Sequence, residues 1–440
     1  MTRTPRPTAA PSSPPPSPPS PAPSGARRAR PRARRALIGA ALLALTLQST
    51  ALAAPAAPTA PTAPAADARG GGKGGPDCVR TQGPLGPDGR KVREIVRLAK
   101  EELHLNSVEV KVAADGRDVY TDALGESMTG VPARPDMHFR AGSVVFAHIG
   151  TLLLQLAEEK RLRLDDTVER WLPYLPKADR ITLRMLATNT SGLHDYVTDP
   201  AFLAELPKDP FRQWTPQELL AFPFSHSFWY EPGTSWSYSH ANYVLLTDAL
   251  QKITGTRIDV LLKERIWGPL GLRNTRNDFT PDIPSPVLHA YTSDRGFYEE
   301  STFWNPSWTT APGAVITSHI CDLARSAQGI GSGELISPRS FRTLLNPGTV
   351  GLGGGTATCP ADVCLKQTDD FHFGMGVIVV KDWTVQNPSF SGYAAIQAYL
   401  PAERLAVAVS ATQTPTTPEG NQAEVVAKRI AAALAPDHPL

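Results

Sequence analysis

Apolar residues in the early part of this chain recur first at helical spacing and then at strand spacing. Val92, Ile95, Val96, Ala99 and Leu103 follow Pro87-Asp88-Gly89 at steps of three and four, which predicts an amphipathic helix over 88–103. Two strand-like runs, 107–113 and 118–124, flank Ala114-Asp115-Gly116-Arg117, where Asp-Gly is a strong signal for a turn between paired antiparallel strands. A second helix is predicted from Ser143 onward, with Leu152, Leu153, Leu156 and Ala157 on its apolar side. From about 165 to 325, short helical patterns alternate with turns rich in Pro, Gly, Ser and Thr. Strand signals return at 373–380, 394–400 and 405–411, and 421–434 again has helical spacing. There is no internal repeat. The order predicts an α+β fold: an antiparallel sheet built from both chain ends and flanked by helices, with a helical lobe inserted between them.

The front of the chain has a different character. Residues 1–35 are rich in Pro, Ser and Arg without one acidic residue, a composition that cannot bury a core. Ala36 to Leu47 is then uncharged and largely apolar, with Arg34-Arg35 before it and Ala51-Leu52-Ala53 after it. This pattern predicts a signal peptide over 1–53 with an extended basic front end, cleaved after Ala53. An uncleaved membrane anchor is the alternative, although the run falls short of the roughly 20 residues a spanning helix needs. The Arg34-Arg35 pair also admits the twin-arginine route. Residues 54–84, rich in Ala, Pro, Thr and Gly, are expected to form a linker, and 85–435 the folded domain. The expected location is secreted or extracytoplasmic, at the cell surface.

Removing the front reverses the charge. The whole chain is formally +2, but residues 1–35 carry eight arginines, so the remainder is roughly −6. A nucleic-acid partner therefore has no electrostatic footing. The four cysteines suit an oxidising compartment. Cys359 and Cys364, close together in a Gly/Thr-rich stretch, are expected to close a small loop as a disulfide; a pairing of Cys78 with Cys321 is open. Neither a cofactor nor a metal is expected, because no second close cysteine pair and no His-x-x-x-His or His-Glu-x-x-His spacing occurs.

Several motifs occur in a telling order. They are Phe139 to Ser143, Leu164-Asp165-Asp166-Thr167-Val168 with Trp171-Leu172-Pro173, and Ile181 through Leu193. Pro232-Gly233-Thr234-Ser235-Trp236-Ser237-Tyr238-Ser239 follows, leading into Asn242-Tyr243-Val244-Leu245-Leu246. In this the chain resembles the β-lactamase and DD-peptidase superfamily of serine hydrolases, in particular the branch with D-alanyl-D-alanine carboxypeptidases, class C β-lactamases and related esterases. The resemblance covers nearly all of the predicted folded domain and implies a β-lactamase/transpeptidase-like fold.

Chemically the resemblance is incomplete. It implies a Ser-x-x-Lys element at a helix start, and here Ser143 matches the serine while Phe146 stands where the lysine belongs. It implies a Tyr-x-Asn element, matched by Tyr238-Ser239-His240, which keeps the tyrosine and replaces the asparagine. It implies a Lys-Thr-Gly or His-x-Gly strand shortly before Gly392-Tyr393, where Gln386-Asn387-Pro388 stands instead. By this alignment Asn387 falls at a substrate-binding position, and the backbone N–H groups of Ser143 and Ser389 form the oxyanion hole.

The deficit is in proton removal. Reaching phenolate from a tyrosine pKa near 10 costs about 4 kcal/mol at pH 7, and general-base catalysis is worth about 10²- to 10⁴-fold in rate. His240 offers a repair, since imidazole accepts a proton at neutral pH; the alternative is that it fills space beside Phe146. His148, about 140° around a helix from Ser143, is expected to be structural or at the surface. His194-Asp195 follows Ser191 too closely for the three to face one another as a triad, so a turn role is expected. The cluster Trp304 to Trp308 either lines a groove or packs.

Two functions compete. One is an exported serine hydrolase acting through an acyl-enzyme on a peptide, amide or ester, a peptidoglycan stem peptide among them. The other is an inactive relative whose cleft binds cell-wall peptide or a protein partner. No nucleic acid or metal partner is expected, and membrane contact only through the signal segment.

Overall fold

The computed structural model describes residues 78–277 and 279–440. The expected signal peptide, its cleavage point and most of the linker lie outside the described residues.

The first helix, α1 (Pro87–Glu102), buries Val92, Val96 and Ala99 and carries a proline in its first turn, where no intrahelical N–H is lost. It is followed by β1 (Leu105–Ala114) and β2 (Arg117–Met128), an antiparallel pair across the Asp115-Gly116 turn. With β3 (Val131–Pro132) they make up the N-terminal half of the sheet. The C-terminal half comprises β4 (Phe371–Phe373), β5 (Ile378–Val380), β6 (Trp383–Gln386), β7 (Ser389–Phe390), β8 (Tyr393–Leu400) and β9 (Leu405–Gln413). The nine strands run β3-β2-β1-β9-β8-β6-β5-β4, with β7 pairing β8. The two chain ends meet where β1 pairs antiparallel with β9, Val110 opposite Val409. The predicted α+β architecture is what the structure has.

One face of the sheet is covered by α1 and the C-terminal helix α5 (Gln422–Leu434). There Val108, Val110 and Val112 meet Val92 and Val96 from α1 and Val426 and Ile430 from α5 in a single apolar cluster. This is the alternation of a sheet strand at work, since every second residue of β1 faces these helices. The opposite face carries the helical lobe, with α2 (Val144–Glu158), α3 (His240–Thr254) and α4 (Ile320–Gly331).

The α2 helix is not amphipathic as its leucines suggested. Residues 144–154 are all buried, because it runs through the middle of the molecule. Its Gly150 lies so close to the carbonyl of Met375 that a side chain has no room there. Such a contact fixes the helix against the turn between β4 and β5. That turn, around Gly374 and Gly376, also divides the single strand expected over 373–380 into two.

Both disulfides form, Cys359 to Cys364 and Cys78 to Cys321. Among the described residues no helix is long and apolar enough to cross a membrane. Trp304, Asn305 and Ser307 are buried, with Asn305 bonded to Gln213 and Ser307 to the backbone of Trp214, so this cluster mainly packs, with a small hollow beside Asn305, Pro306 and Ser307.

Candidate active site

Ser143 is the residue that caps α2 at its N-terminus, half-buried, with its hydroxyl making no capping bond. A serine here would normally satisfy the first free N–H groups of the helix. Its own backbone N–H is taken by no protein group among the described residues. Directly before it Gly142 has φ +46°, and a Cβ there would come within 2.8 Å of Pro388. The Pro388-Ser389 edge of the sheet thus passes over the start of α2.

The strand pairing orients that edge. Ala395 N–H donates to Pro388 O at 2.9 Å, which makes the 388/395 pair hydrogen-bonded. Ser389 and Ala394, the next pair, then occupy a non-hydrogen-bonded position. The N–H of Ser389 consequently points away from β8, and the residue is exposed. Asn421, the cap of α5, holds the segment by donating its side-chain amide to the carbonyls of Asn387, Pro388 and Ala395, each at 3.0 Å.

Asn387 departs from the expectation. Its amide donates to Glu424 on α5 at 2.7 Å. The physical reason is strand parity: Trp383 and Val385 face α1 and α5, and Asn387 continues that alternation. Its side chain is committed to the helix-covered face.

Tyr238 and His240 come from the loop that leads into α3 and from its first residue. This loop is laced to the 189–195 segment. Asn189 Oδ1 accepts from the backbone of Ser239 at 3.2 Å and from Asn242 Nδ2 at 2.9 Å, and Ser191 Oγ donates to Asn242 Oδ1 at 2.6 Å. The Ser239 hydroxyl reaches His194 O at 2.8 Å. Asn189 itself sits at φ +59°, a left-handed conformation that asparagine tolerates better than most residues.

Phe146 is the hub on which these groups converge. It is fully buried and lies flat on Tyr243, centroids 3.7 Å apart and planes 8° from parallel. His240 meets it edge-on at 5.8 Å, and Tyr238 lies at 6.1 Å. Tyr238 and His240 are themselves in edge contact at 5.1 Å. Burial raises the Tyr238 phenol well above the ordinary tyrosine range, the nearby Asp195 carboxylate adds to that, and the neighbouring Ser143 hydroxyl offsets part of it. The serine and the tyrosine are thus adjacent. His240 makes no hydrogen bond to Ser143 here; it reaches the serine's surroundings through Tyr238.

Asp195 lies behind the imidazole. Its carboxylate caps the turn at Tyr196–Thr198 by accepting from Val197 N–H at 3.2 Å, the turn role the sequence suggested. It also accepts from the backbone N–H of His240 at 3.1 Å and faces His240 Nδ1 at 3.0 Å and 3.1 Å. The sequence reading missed this second role, because nothing in a 45-residue separation marks the two as neighbours.

His148 is structural, as expected. It is fully buried, with Nδ1 accepting from Trp267 Nε1 at 3.2 Å and Nε2 facing Ser326 Oγ at 2.8 Å. A wide groove of about 1400 Å³, beside the Cys78–Cys321 disulfide and the stacked His138 and His319, includes neither Ser143, Tyr238 nor His240. Among the described residues no group of three or more His, Cys, Asp or Glu could hold a metal ion.

A family model described as Beta-lactamase matches residues 92–432. A putative penicillin-binding protein of Bacillus subtilis (strain 168) is 26% identical over 223 residues, 50% of this chain and 54% of the relative. Another penicillin-binding protein of the same strain is 31% identical over 302 residues, 64% of this chain and 60% of the relative. A D-aminopeptidase of Brucella anthropi is 31% identical over 166 residues, 37% of this chain and 31% of the relative. The matches therefore span less than two thirds of the length of these curated relatives. Among solved structures, a D-stereospecific amidohydrolase from Streptomyces sp. superposes with a TM-score of 0.65 at 24% identity, covering 80% of this chain and 99% of that one. The D-amino acid amidase of Ochrobactrum anthropi SV3 does so with a TM-score of 0.67 at 20% identity, covering 80% and 99%. At these identities the structural likeness speaks for the fold.

Proposed function

Since this chain belongs to the beta-lactamase family, we propose that it is an exported serine hydrolase that forms an acyl-enzyme on Ser143, with His240 as general base and Tyr238 as the hydroxyl between them. The observation that carries the reading is the convergence of Ser143, Tyr238 and His240, from two separate segments, on the buried Phe146. Phe146 occupies the position at which the family pattern has its lysine, so the basic group must come from elsewhere. The raised Tyr238 pKa argues against phenolate and leaves imidazole as the acceptor.

In the proposed reaction Ser143 Oγ attacks the substrate carbonyl carbon while its proton passes, by way of the Tyr238 hydroxyl, to His240 Nε2. The outward N–H of Ser389 and the unengaged N–H of Ser143 support an oxyanion hole, with the N-terminus of α2 adding its positive end. Collapse of the tetrahedral intermediate breaks the bond to the leaving group, which takes the proton from His240. Water then attacks the acyl ester, its proton returns to the imidazole and on to Ser143 Oγ, and the acid product is released. A ligand-free site often holds such groups farther apart than the reacting complex does. The relatives' names, penicillin-binding protein and D-aminopeptidase, support a peptide or amide substrate, and an ester asks less of the base. Two disulfides support an oxidising, extracytoplasmic location.

A second reading rests on Phe146, whose ring in place of a cation suits a cleft that binds cell-wall peptide or a protein without turning it over. One experiment separates the two. The protein, its Ser143→Ala variant and its His240→Ala variant are incubated with a chromogenic ester and a labelled penicillin. Hydrolysis that falls in both variants supports the enzyme; equal, near-background signals in all three support the binding cleft.

A further inference from the structure

We propose that Asp195 is the positioning residue of this site, fixing His240 with its proton on Nδ1 so that Nε2 offers a lone pair to the Tyr238 and Ser143 hydroxyls. The inference rests on the hydrolase reading above and adds to it the group that sets the direction of proton transfer.

Three observations converge on it. First, a carboxylate only accepts hydrogen bonds, so a ring nitrogen 3.0 Å from it must carry the proton. Imidazole in its neutral form holds one proton, and placing it on Nδ1 leaves Nε2 as the acceptor. Second, Asp195 is itself held. The backbone N–H groups of Val197 and His240 both donate to its Oδ1, at 3.2 Å and 3.1 Å, and the side chain is 7% exposed. A carboxylate fixed at two points resists rotation, so the imidazole it grips has one orientation. Third, the other edges of the ring are packed, with Phe146 edge-on at 5.8 Å, Tyr196 at 5.9 Å and Tyr238 at 5.1 Å. Among the described residues nothing bonds Nε2. As His240 takes the serine proton it becomes imidazolium, and the carboxylate at its back stabilises that charge at the moment it forms. The Tyr196 phenol, on the same turn as Asp195, donates to Trp308 O at 2.8 Å and so anchors the turn to the lobe.

The same geometry predicts what an amide would do at position 195. The Oδ1 of Asp195→Asn still accepts from the backbone N–H groups of Val197 and His240, so the turn is kept. Its NH₂ takes the place of Oδ2, the oxygen nearer Nδ1 at 3.0 Å, and so favours the proton on Nε2, where it blocks proton removal from Ser143. A comparable change in a serine protease triad costs about 10⁴-fold.

The test uses the whole protein, its Asp195→Asn, Asp195→Glu, His240→Ala and Ser143→Ala variants, 4-nitrophenyl butyrate as substrate and a fluorophosphonate as serine-directed label. Expected are a loss of about 10²-fold or more in acylation by Asp195→Asn, partial rescue by Asp195→Glu, and an acid limb of the pH profile displaced in Asp195→Asn but not in distant variants. Nitrogen-15 NMR of labelled histidine, with the His240 signal assigned by its loss in His240→Ala, should show a protonated Nδ1 in the parent protein and a protonated Nε2 in Asp195→Asn. A parent spectrum with the proton on Nε2, or an Asp195→Asn variant that acylates at the parent rate, overturns the proposal. The tautomer is read on the parent protein, with His240→Ala used only to assign the signal, so poor folding of an Asp195 variant does not remove the test. If Ser143→Ala is labelled as fast as the parent, the hydrolase reading fails, while the tautomer still reports on Asp195 independently.

Discussion

Phe146, the third residue of α2, lies face to face with Tyr243, the fourth residue of α3, at a centroid distance of 3.7 Å. This stack sets the floor under Tyr238 and His240, so the ring both fills the core and supports the site. Truncation to Ala leaves a cavity among groups that cannot close in, because α2 is pinned at Gly150. Phe146→Ala is expected to lower unfolding free energy by about 3–5 kcal/mol, read from urea denaturation. A loss below about 1 kcal/mol would mean that the surrounding rings simply collapse into the space, contrary to the fixed floor argued above.

In the proposed relay Tyr238 contributes a hydroxyl and not a charge. Burial and the Asp195 carboxylate both hold its phenol well above the ordinary range. Tyr238→Phe is therefore expected to slow acylation of a chromogenic ester by about 10²-fold while leaving the shape of the pH–rate curve intact up to about pH 9. Should the variant remove an alkaline limb from that curve, Tyr238 is acting as phenolate and the relay is wrong.

His148 makes the fold sensitive to acid. Desolvation lowers its pKa from 6.5 to about 3, and Trp267 Nε1 occupies the lone pair that a proton would need. A pKa lower in the folded state than in the unfolded one means stability is present above pH 6.5 and is lost as pH falls toward 3. At 1.36 kcal/mol per unit the full loss is about 5 kcal/mol. The measurement is the difference in unfolding free energy between the parent protein and His148→Gln from pH 7 down to pH 4. It should narrow steadily as the solution is acidified, and a constant difference would exclude His148 as the acid-sensitive group.

The ends of the chain were legible because a strand with one helix-covered face writes its burial into alternate positions, as Val108, Val110 and Val112 do. Trp383–Gln386 was not, since its alternation of apolar and polar side chains lasts only four residues and is too short to stand out in the sequence. Counting back from Gly392-Tyr393 gave the strand segment at Gln386-Asn387-Pro388, but not its approach to Gly142 nor the facing of Asn387. Facing depends on strand parity, which needs the strand boundary first. Ser143, Tyr238 and His240 were picked out as candidates by motif, while the contact of Asp195 with His240 was hidden because it depends on how two loops fold against each other. Its local role, capping the next turn, is written in its neighbours, and that is why the sequence yielded only that half. The Cys359–Cys364 bridge could be read from proximity, whereas Cys78 and Cys321 stand 243 residues apart.

Glu109 is the least expected residue in the sheet. It is on β1, opposite Ser410, facing away from α1 and α5, and fully buried with both carboxyl oxygens lacking a hydrogen-bond partner. Desolvation, reinforced by the Asp136 carboxylate, raises its pKa well above the ordinary 4.5, so the folded protein keeps a proton there that the unfolded chain releases. With the folded value the higher one, its contribution is fully present below about pH 4.5 and is lost as pH rises. Replacing it with an apolar side chain of similar shape removes that penalty, and Glu109→Met is expected to gain about 1–4 kcal/mol at pH 8 with a smaller gain at pH 4. Thermal unfolding of both proteins across that interval measures the effect. If the gain were equal at the two pH values, the carboxyl would titrate alike in the folded and the unfolded chain, and its buried proton would not be what makes the sheet sensitive to alkali.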